Sequence, residues 1–294
     1  MKIIVKGFVT NKKSESYSDC ADSYALNTER GRFAISDGVS ISFFSAVWSQ
    51  ILVNNFVQGS VWADADFINN CQVQWQQKVD KIVQQPNVKW FVKSKHIKKD
   101  FAAATFIGLE IAENQRKWKA QLIGDSFLFF VPKNCTQFKN VLKYPNQENF
   151  VFDNYPDYLA SLEGNHRGQL YTSPEQELTE GTFFLMTDAL SEWFIERLKK
   201  DVQNAVESLL KIENQKQFLA KIQRERDENL LKNDDSAILA LEVIDDGSDA
   251  LSYVVAHVTD LYKLVKGNKK EKQKVAKNFV PKTENQSLNI SDKF

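Results

Sequence analysis

Four apolar runs in this chain start or stop at an aspartate. They are FAISDGVS around Asp37, AQLIGDSFLFF around Asp125, FFLMTDALSEWF around Asp188 and KNDDSAILALEV around Asp234. Each run reads as a strand, so each carboxylate stands at the rim of a sheet rather than inside it. Carboxylates gathered on one rim repel each other unless a multivalent cation neutralises them. If the four ends meet at a common edge, the chemistry expected there is a hard-metal site built from oxygen ligands.

At 294 residues the chain can hold one large domain or two small ones, and its 43 % hydrophobic content, with 21 Phe and 6 Trp, supplies a substantial core. Charge is balanced at 38 basic and 38 acidic residues, which excludes a polyanion-binding role for the protein as a whole. The balance hides a basic arm: Lys266–Phe294 carries eight Lys against three acids. Cys20, Cys71 and Cys135 are far apart and form no CxxC pair, so neither a disulfide framework nor a zinc cluster is expected. The apolar run in MKIIVKGFVT is too short for a signal peptide, and no stretch approaches the ~18 apolar residues of a membrane span. A cytoplasmic location follows as the expectation.

Strands are predicted over 2–10, Ser23–Asn27, Arg32–Ser36, Phe101–Ile111, Lys117–Ile123, Phe127–Val131, Thr182–Thr187 and Ser236–Ile244, with the three in the middle read as an antiparallel meander. Helices are predicted over Ser42–Val57, capped by Ser40 or Ser42, and over Asp66–Val83, Ser191–Lys200, capped by Ser191, and Val202–Glu225. Lys93–Lys99, with four lysines and His96, reads as a solvated loop, with anion contact as the alternative. Residues 133–180 are polar and broken by prolines, an irregular surface excursion of the kind that carries recognition. Ala250–Val265 can be written as a weak helix, and the chain beyond Lys266 has too little to bury to fold. Strands in runs separated by helices argue for an α+β sandwich, and no GxGxxG or GxxxxGKS motif supports a nucleotide fold.

Paired Mg²⁺ or Mn²⁺ ions can share a bridging hydroxide, a nucleophile for phosphate esters that needs no Ser, Cys or His. The three histidines, His96, His166 and His257, all lie away from the aspartate motifs. Six segments in order then resemble the metal-dependent protein phosphatases of type 2C: Asp22 in CADSYALN, Asp37–Gly38, Ala104–Thr105, Gly124–Ser126, Thr187–Asp188 and Asp234–Asp235. The match runs from about Lys12 to Val243. Arg30–Trp48, Ile123–Phe129 and Thr187–Trp193 resemble a bacterial-type subgroup most closely. The resemblance implies a four-layer α-β-β-α sandwich, with two central, mostly antiparallel sheets flanked by helices, over residues 1–245. Residues 133–180 would be a flap-like insertion and 246–294 a weakly helical, then basic tail.

It also implies roles. Asp37 would bridge two ions, the Gly38 carbonyl would bind one of them, and Asp188 and Asp234 would hold the other. Asp22 would act through water and Asp125 beside an optional third ion. Asp37, Asp188 and Asp234 form the catalytic set, and the implied reaction is hydrolysis of phosphoserine or phosphothreonine in a phosphoprotein by a monomer. The chain departs from the pattern at Ala21, where a glutamate is expected, at Val39, where many members carry a histidine, and at Ala189, where a glycine is usual. It has no counterpart to the early phosphate-gripping arginine, a place Lys12 or Lys13 could fill. These departures motivate two alternatives, a silent phosphatase-fold binding module and a phosphatase of small metabolites. The basic tail is either a solubilising end or a tether to an acidic partner, a membrane surface or nucleic acid.

Overall fold

The computed structural model describes residues 1–59, 62–147, 150–152 and 155–259. In chain order the strands and α-helices among them are β1 (Lys2–Thr10), β2 (Ser23–Asn27), β3 (Arg32–Ser36), α1 (Ser45–Gln58), α2 (Ala65–Val83), α3 (Trp90–Ile97), β4 (Ala103–Ala104), β5 (Phe106–Ala112), β6 (Lys117–Ile123), β7 (Phe127–Pro132), β8 (Leu142–Tyr144), β9 (Leu159–Ala160), β10 (Tyr171–Thr172), β11 (Gln176–Glu177), β12 (Gly181–Met186), α4 (Asp188–Lys200), α5 (Val202–Leu210), α6 (Gln215–Asp227), β13 (Ser236–Ile244) and β14 (Ser252–Val258).

One sheet has the order β14-β1-β13-β12-β7-β8; the other runs β10-β6-β5-β3-β2, with β11 also on β6, and β4 pairs with β9 alone. Among these pairings only β1 with β14 is parallel. Side chains of a strand alternate between its faces, and β12 buries both. Phe184 and Met186 join Trp193, Phe194, Phe218 and Ile222 of α4 and α6. Phe183 turns the other way, onto Trp118 of β6, with ring centroids 5.0 Å apart. In the second sheet Ala34 and Phe106 pack under Trp48 and Phe56 of α1 and Phe67 and Trp75 of α2. The result is helices, sheet, sheet, helices, the sandwich that the sequence implied. Strands covered on both faces need apolar residues on both, which is why they read as unbroken apolar runs.

Five local expectations are corrected. First, the meander over 101–131 is split: β5 and β6 pair, but β7 lies in the other sheet beside β12. Second, the lysine-rich segment is part of a helix, α3, none of whose residues is buried; lysine is a good helix former, so charge alone does not make a loop. Third, 202–225 is two helices. Asn214 breaks the stretch by accepting the Gln217 amide N–H at 3.1 Å as an N-cap. Fourth, the described part of the expected 250–265 helix is strand β14. Its β-branched residues extend the first sheet beyond β1, and His257 stacks on Phe8 with centroids 4.7 Å apart. Fifth, neither Ser40 nor Ser42 caps α1. Phe44 stands at that position in the left-handed region at φ 58°, while the Ser42 hydroxyl accepts from Ala103 N–H and donates to the Val39 carbonyl. Ser191 likewise lies inside α4 and donates its hydroxyl to the Met186 carbonyl.

The described part of 133–180 holds four two- or three-residue strands, β8–β11, and a single 3-10 turn, Phe138–Asn140. No helix among the described residues is long and apolar enough to cross a membrane. The basic arm beyond Lys266 lies outside the described residues.

Trp118 is 1 % exposed between the sheets, touching Phe130, Phe183 and Tyr144, and its indole N–H has no hydrogen-bond partner among the described residues. Trp118→Ala should therefore destabilise by about 3–5 kcal/mol through the cavity it leaves. Trp118→Phe should cost about 1 kcal/mol or less, because the lost volume is offset by removal of an unsatisfied donor. Urea denaturation followed by circular dichroism checks both values.

Candidate metal centre

Strand register carries the aspartates to one edge. In the second sheet Ser36 ends β3 opposite Ser23 at the start of β2, and Phe106 opens β5 opposite Ile123, which ends β6. Asp37, Asp22 and Asp125 lie just beyond those ends. In the first sheet Met186 ends β12 between Phe127, the start of β7, and Ile238, while Ser236 opens β13 opposite Thr10, the last residue of β1. Asp188, Asp234, Asp235 and Lys12 follow or precede these residues by one to two positions.

The backbone under Asp37 is clamped. Its N–H donates to Thr105 Oγ1 at 3.1 Å and its carbonyl accepts from the Thr105 N–H at 2.8 Å; Thr105 Oγ1 in turn bonds Ser126 Oγ at 2.7 Å. Gly38 N–H donates to the Ala21 carbonyl, and a β-carbon on Gly38 would come within 3.0 Å of that oxygen and of Ser45, so this close approach of chains needs glycine. At Gly124, φ is +99° and a β-carbon would sit 2.6 Å from Thr105. The turn that presents Asp125 is likewise restricted to glycine.

Asp22 is 1 % exposed, and neither of its carboxylate oxygens has a hydrogen-bond partner among the described residues. Burial, followed by the charges of Asp235 and Asp188, pushes its carboxyl well above the usual range. The Thr187 hydroxyl is near enough to ease that shift, but it does not reach hydrogen-bond geometry with either oxygen. Asp37 is also pushed well up, by burial and then by Asp22, Asp188, Asp125 and Asp234. Asp188 rises to about 6 through burial and the Asp234 charge, although the Ala189 N–H donates to its Oδ1 at 2.6 Å at the start of α4. Asp125 is 4 % exposed. The strand register brings Asp22, Asp37, Asp125, Asp188 and Asp234 to one edge, and the charges of Asp22, Asp188, Asp125 and Asp234 all act on Asp37.

A buried carboxylate with no partner is costly, and a divalent cation is the group that would relieve several at once. No group of three or more His, Cys, Asp or Glu side chains among the described residues is arranged to hold an ion. Mg²⁺ and its analogues keep several waters and take only one or two carboxylates each, so residues spread around a volume suit them better than a closed cage. The oxygen-only donor set fits a hard ion, and the histidines are engaged elsewhere: His96 with Asp80 at 2.7 Å, His166 with the Ala160 N–H at 2.9 Å and His257 on Phe8.

Lys12 belongs to the cluster. Its Nζ lies 3.0 Å from Asp234 Oδ1 and 2.9 Å from Ser40 Oγ. Burial alone would lower its pKa, but the hydrogen bond and charge of Asp234 outweigh burial and raise it. Lys13 is not drawn in; Asp227 of α6 holds its ammonium at 2.8 Å in an exposed pair. Asp235 turns its carboxylate onto backbone, accepting from Lys12 N–H at 2.9 Å and Ala21 N–H at 2.8 Å. Ala21 is thus a tie between loops, and Asp19 is spent on Ser16 in an exposed turn.

Arg226 was not legible in the sequence. It is 9 % exposed on α6 and donates to the carbonyls of Asn11 and Asp234 and to Ser236 Oγ, tying together the two loops that carry Lys12 and Asp234. In the run QRERDEN nothing marks it apart from its neighbours.

No protein-family model matches the chain, nor does any curated protein sequence. Solved structures do resemble it. The photosystem II phosphatase PBCP is 15 % identical with a TM-score of 0.48, covering 82 % of this chain and 99 % of that one. The catalytic domain of the serine/threonine protein phosphatase PstP, solved with two manganese ions, is 11 % identical with a TM-score of 0.46, covering 83 % and 99 %. RsbX, solved with magnesium, is 13 % identical with a TM-score of 0.46, covering 82 % and 94 %. What the site does has to be argued from its own residues.

A carboxyl whose pKa is raised on folding destabilises the folded state as pH rises from its unfolded value toward its folded value. For Asp188 that window runs from about pH 4 to about pH 6. Asp188→Asn should therefore stabilise the metal-free protein at pH 7 by up to about 3 kcal/mol, less whatever its partial exposure screens, and by nothing below about pH 4. The same variant should lose the rise in melting temperature that Mn²⁺ gives the wild type. Thermal melts with and without Mn²⁺ at pH 4 and pH 7 test both effects.

Proposed function

We propose that the chain is a Mg²⁺- or Mn²⁺-dependent phosphoester hydrolase of the type 2C class, acting on phosphoserine or phosphothreonine in proteins. The observation that carries this reading is the orphaned, fully buried carboxylate of Asp22 among Asp37, Asp188 and Asp234. Either protonation or divalent charge beside it relieves such an arrangement, and the oxygen-only donor set suits a hard divalent ion. The ordered resemblance of six sequence segments supports the choice of reaction.

Asp37, Asp188, Asp234 and the Gly38 carbonyl would hold two ions, with Asp22 acting through water and Asp125 beside a third. Bound there, the ions supply Lewis acidity and an activated water for attack on phosphorus. The protein's own part is positional. The Thr105 and Ser126 hydroxyls fix the Asp37 backbone, Asp235 pins the Lys12 and Ala21 loops, and Arg226 holds the loop of Asp234. Lys12 would change partner: once Asp234 is committed to an ion, its ammonium is released toward a phosphoryl oxygen, the role an arginine would otherwise play. Val39 has no acidic proton, so the leaving alkoxide would take its proton from a water or another group.

Purified protein with Mn²⁺ should hydrolyse para-nitrophenyl phosphate and a phosphoserine peptide, and excess chelator should stop both reactions. Asp37→Asn should abolish turnover on each substrate, whereas activity surviving that change overturns the mechanism. Lys12→Ala should lower kcat/KM about tenfold or more, as loss of a charge-assisted hydrogen bond does. If Lys12 grips phosphate, the ion dependence of the residual activity stays near that of the wild type.

A further inference from the structure

Beside the metal edge lies a recess of about 550 Å³ that the aspartate cluster does not use. Its floor is Val39, the residue after Gly38, joined to Ala103 by a 2.9 Å backbone hydrogen bond, with Phe101 and Tyr158 alongside. The end of α3 and the residues after it contribute Lys95, Lys98 and Lys99 to the lining, which also includes Arg167. None of the three lysines forms an ion pair with a described residue. Arg167 has only Asp157, at 3.8 Å and with both side chains half exposed. The one carboxylate in the lining is Asp100. A concave site with four cations against one anion, opening onto a phosphate-processing edge, has the charge of a receptor for carboxylates.

We infer that this recess binds the acidic residues flanking the phosphorylated serine or threonine of the substrate, and that it thereby selects acid-rich phosphopeptides. This rests on the phosphatase reading and names its substrate class. Three features favour a peptide. The recess is of the size that encloses a few side chains. Its aromatic floor suits an extended chain. It is lined by Val39, two residues after Asp37, and by Ala103, whose carbonyl accepts from the Val39 N–H, so a bound peptide would lie beside the reacting group. The apolar residues of α3, Trp90 at 79 % and Ile97 at 79 % exposure, are not in the recess lining. A membrane surface would have to use that outer face instead.

Two phosphoserine peptides separate the outcomes, one flanked by Asp and Glu and the other by Asn and Gln, with para-nitrophenyl phosphate as the reference too small to reach the recess. The wild type should prefer the acidic peptide about tenfold in kcat/KM, mostly through KM, and high salt should shrink the preference. The triple variant Lys95→Glu, Lys98→Glu, Lys99→Glu should lose or reverse it while para-nitrophenyl phosphate turnover stays within about twofold of wild type. Fluorescence anisotropy of the labelled acidic peptide, which needs no turnover, should weaken in parallel. Equal rates on the two peptides overturn the inference, as does a loss in the variant shared by all three substrates. Binding to phosphatidylserine vesicles without peptide preference would assign the lysines to a membrane and overturn it too. Failure of the wild type to hydrolyse any substrate sinks the phosphatase reading instead, and anisotropy then still reports on the recess.

Discussion

Repulsion among buried carboxylates is the force around which the acidic edge is organised. Asp22, Asp37 and Asp188 all resist ionisation in the folded chain, chiefly through loss of solvent, nearly complete at Asp22 and partial at the other two, and secondly through neighbouring carboxylates. Nothing in the fold's own hydrophobic logic calls for this arrangement, since a chain selected for stability alone would place amides there. The sandwich holds the acids in place regardless. Two sheets with core on both faces supply the rigidity, and hydrogen bonds from the Asp37 N–H to the Thr105 hydroxyl and from the Lys12 and Ala21 N–H groups to the Asp235 carboxylate fix the backbone at the edge. In the metal-free chain Lys12 is the nearest substitute for a cation, paired with Asp234 at 3.0 Å.

Much of this was legible in the residues because the strands are covered on both sides. FFLM and ILAL have no polar face, so their ends are sharp, and the aspartates mark those ends unambiguously. Sheet membership was not legible. LIGDSFLFF reads as a hairpin because a three-residue link between strands is what a hairpin uses. Instead, Gly124 at φ +99° turns the chain out of one sheet and into the other. The same limit explains β14. VVAHV suits a strand or a helix equally, and only the open edge of β1 decides between them.

The candidate site divides in the same manner. The carboxylates could be ranked from sequence because each sits at a pattern break. The groups that position them could not, because their roles depend on contacts between distant segments. Arg226 meets Asn11 across 215 positions, and Asp235 meets Ala21 across 214. Lys12 and Lys13 were equal candidates for phosphate, and a single turn separates them: one faces Asp234 and the other Asp227. The lysines of α3 were visible as charge. Their common recess with Arg167 was not, since it depends on how the irregular 155–167 segment folds back beside Ala103.

Two of the links between the sheets lie at the acidic edge: the loop from β1 to β2 that carries Lys12 and Asp22, and Gly124–Asp125–Ser126 between β6 and β7. The edge is therefore a seam as well as a site. Any sliding of one sheet over the other must change the spacing of Asp22 and Asp37 relative to Asp188 and Asp234, because the first pair adjoins β2 and β3 of one sheet and the second adjoins β12 and β13 of the other. An ion held between them, as proposed, would act as a rivet. Conversely, a repacked ring deep between the sheets would then alter its affinity from a distance, through the mechanics of the sandwich and without touching a ligand.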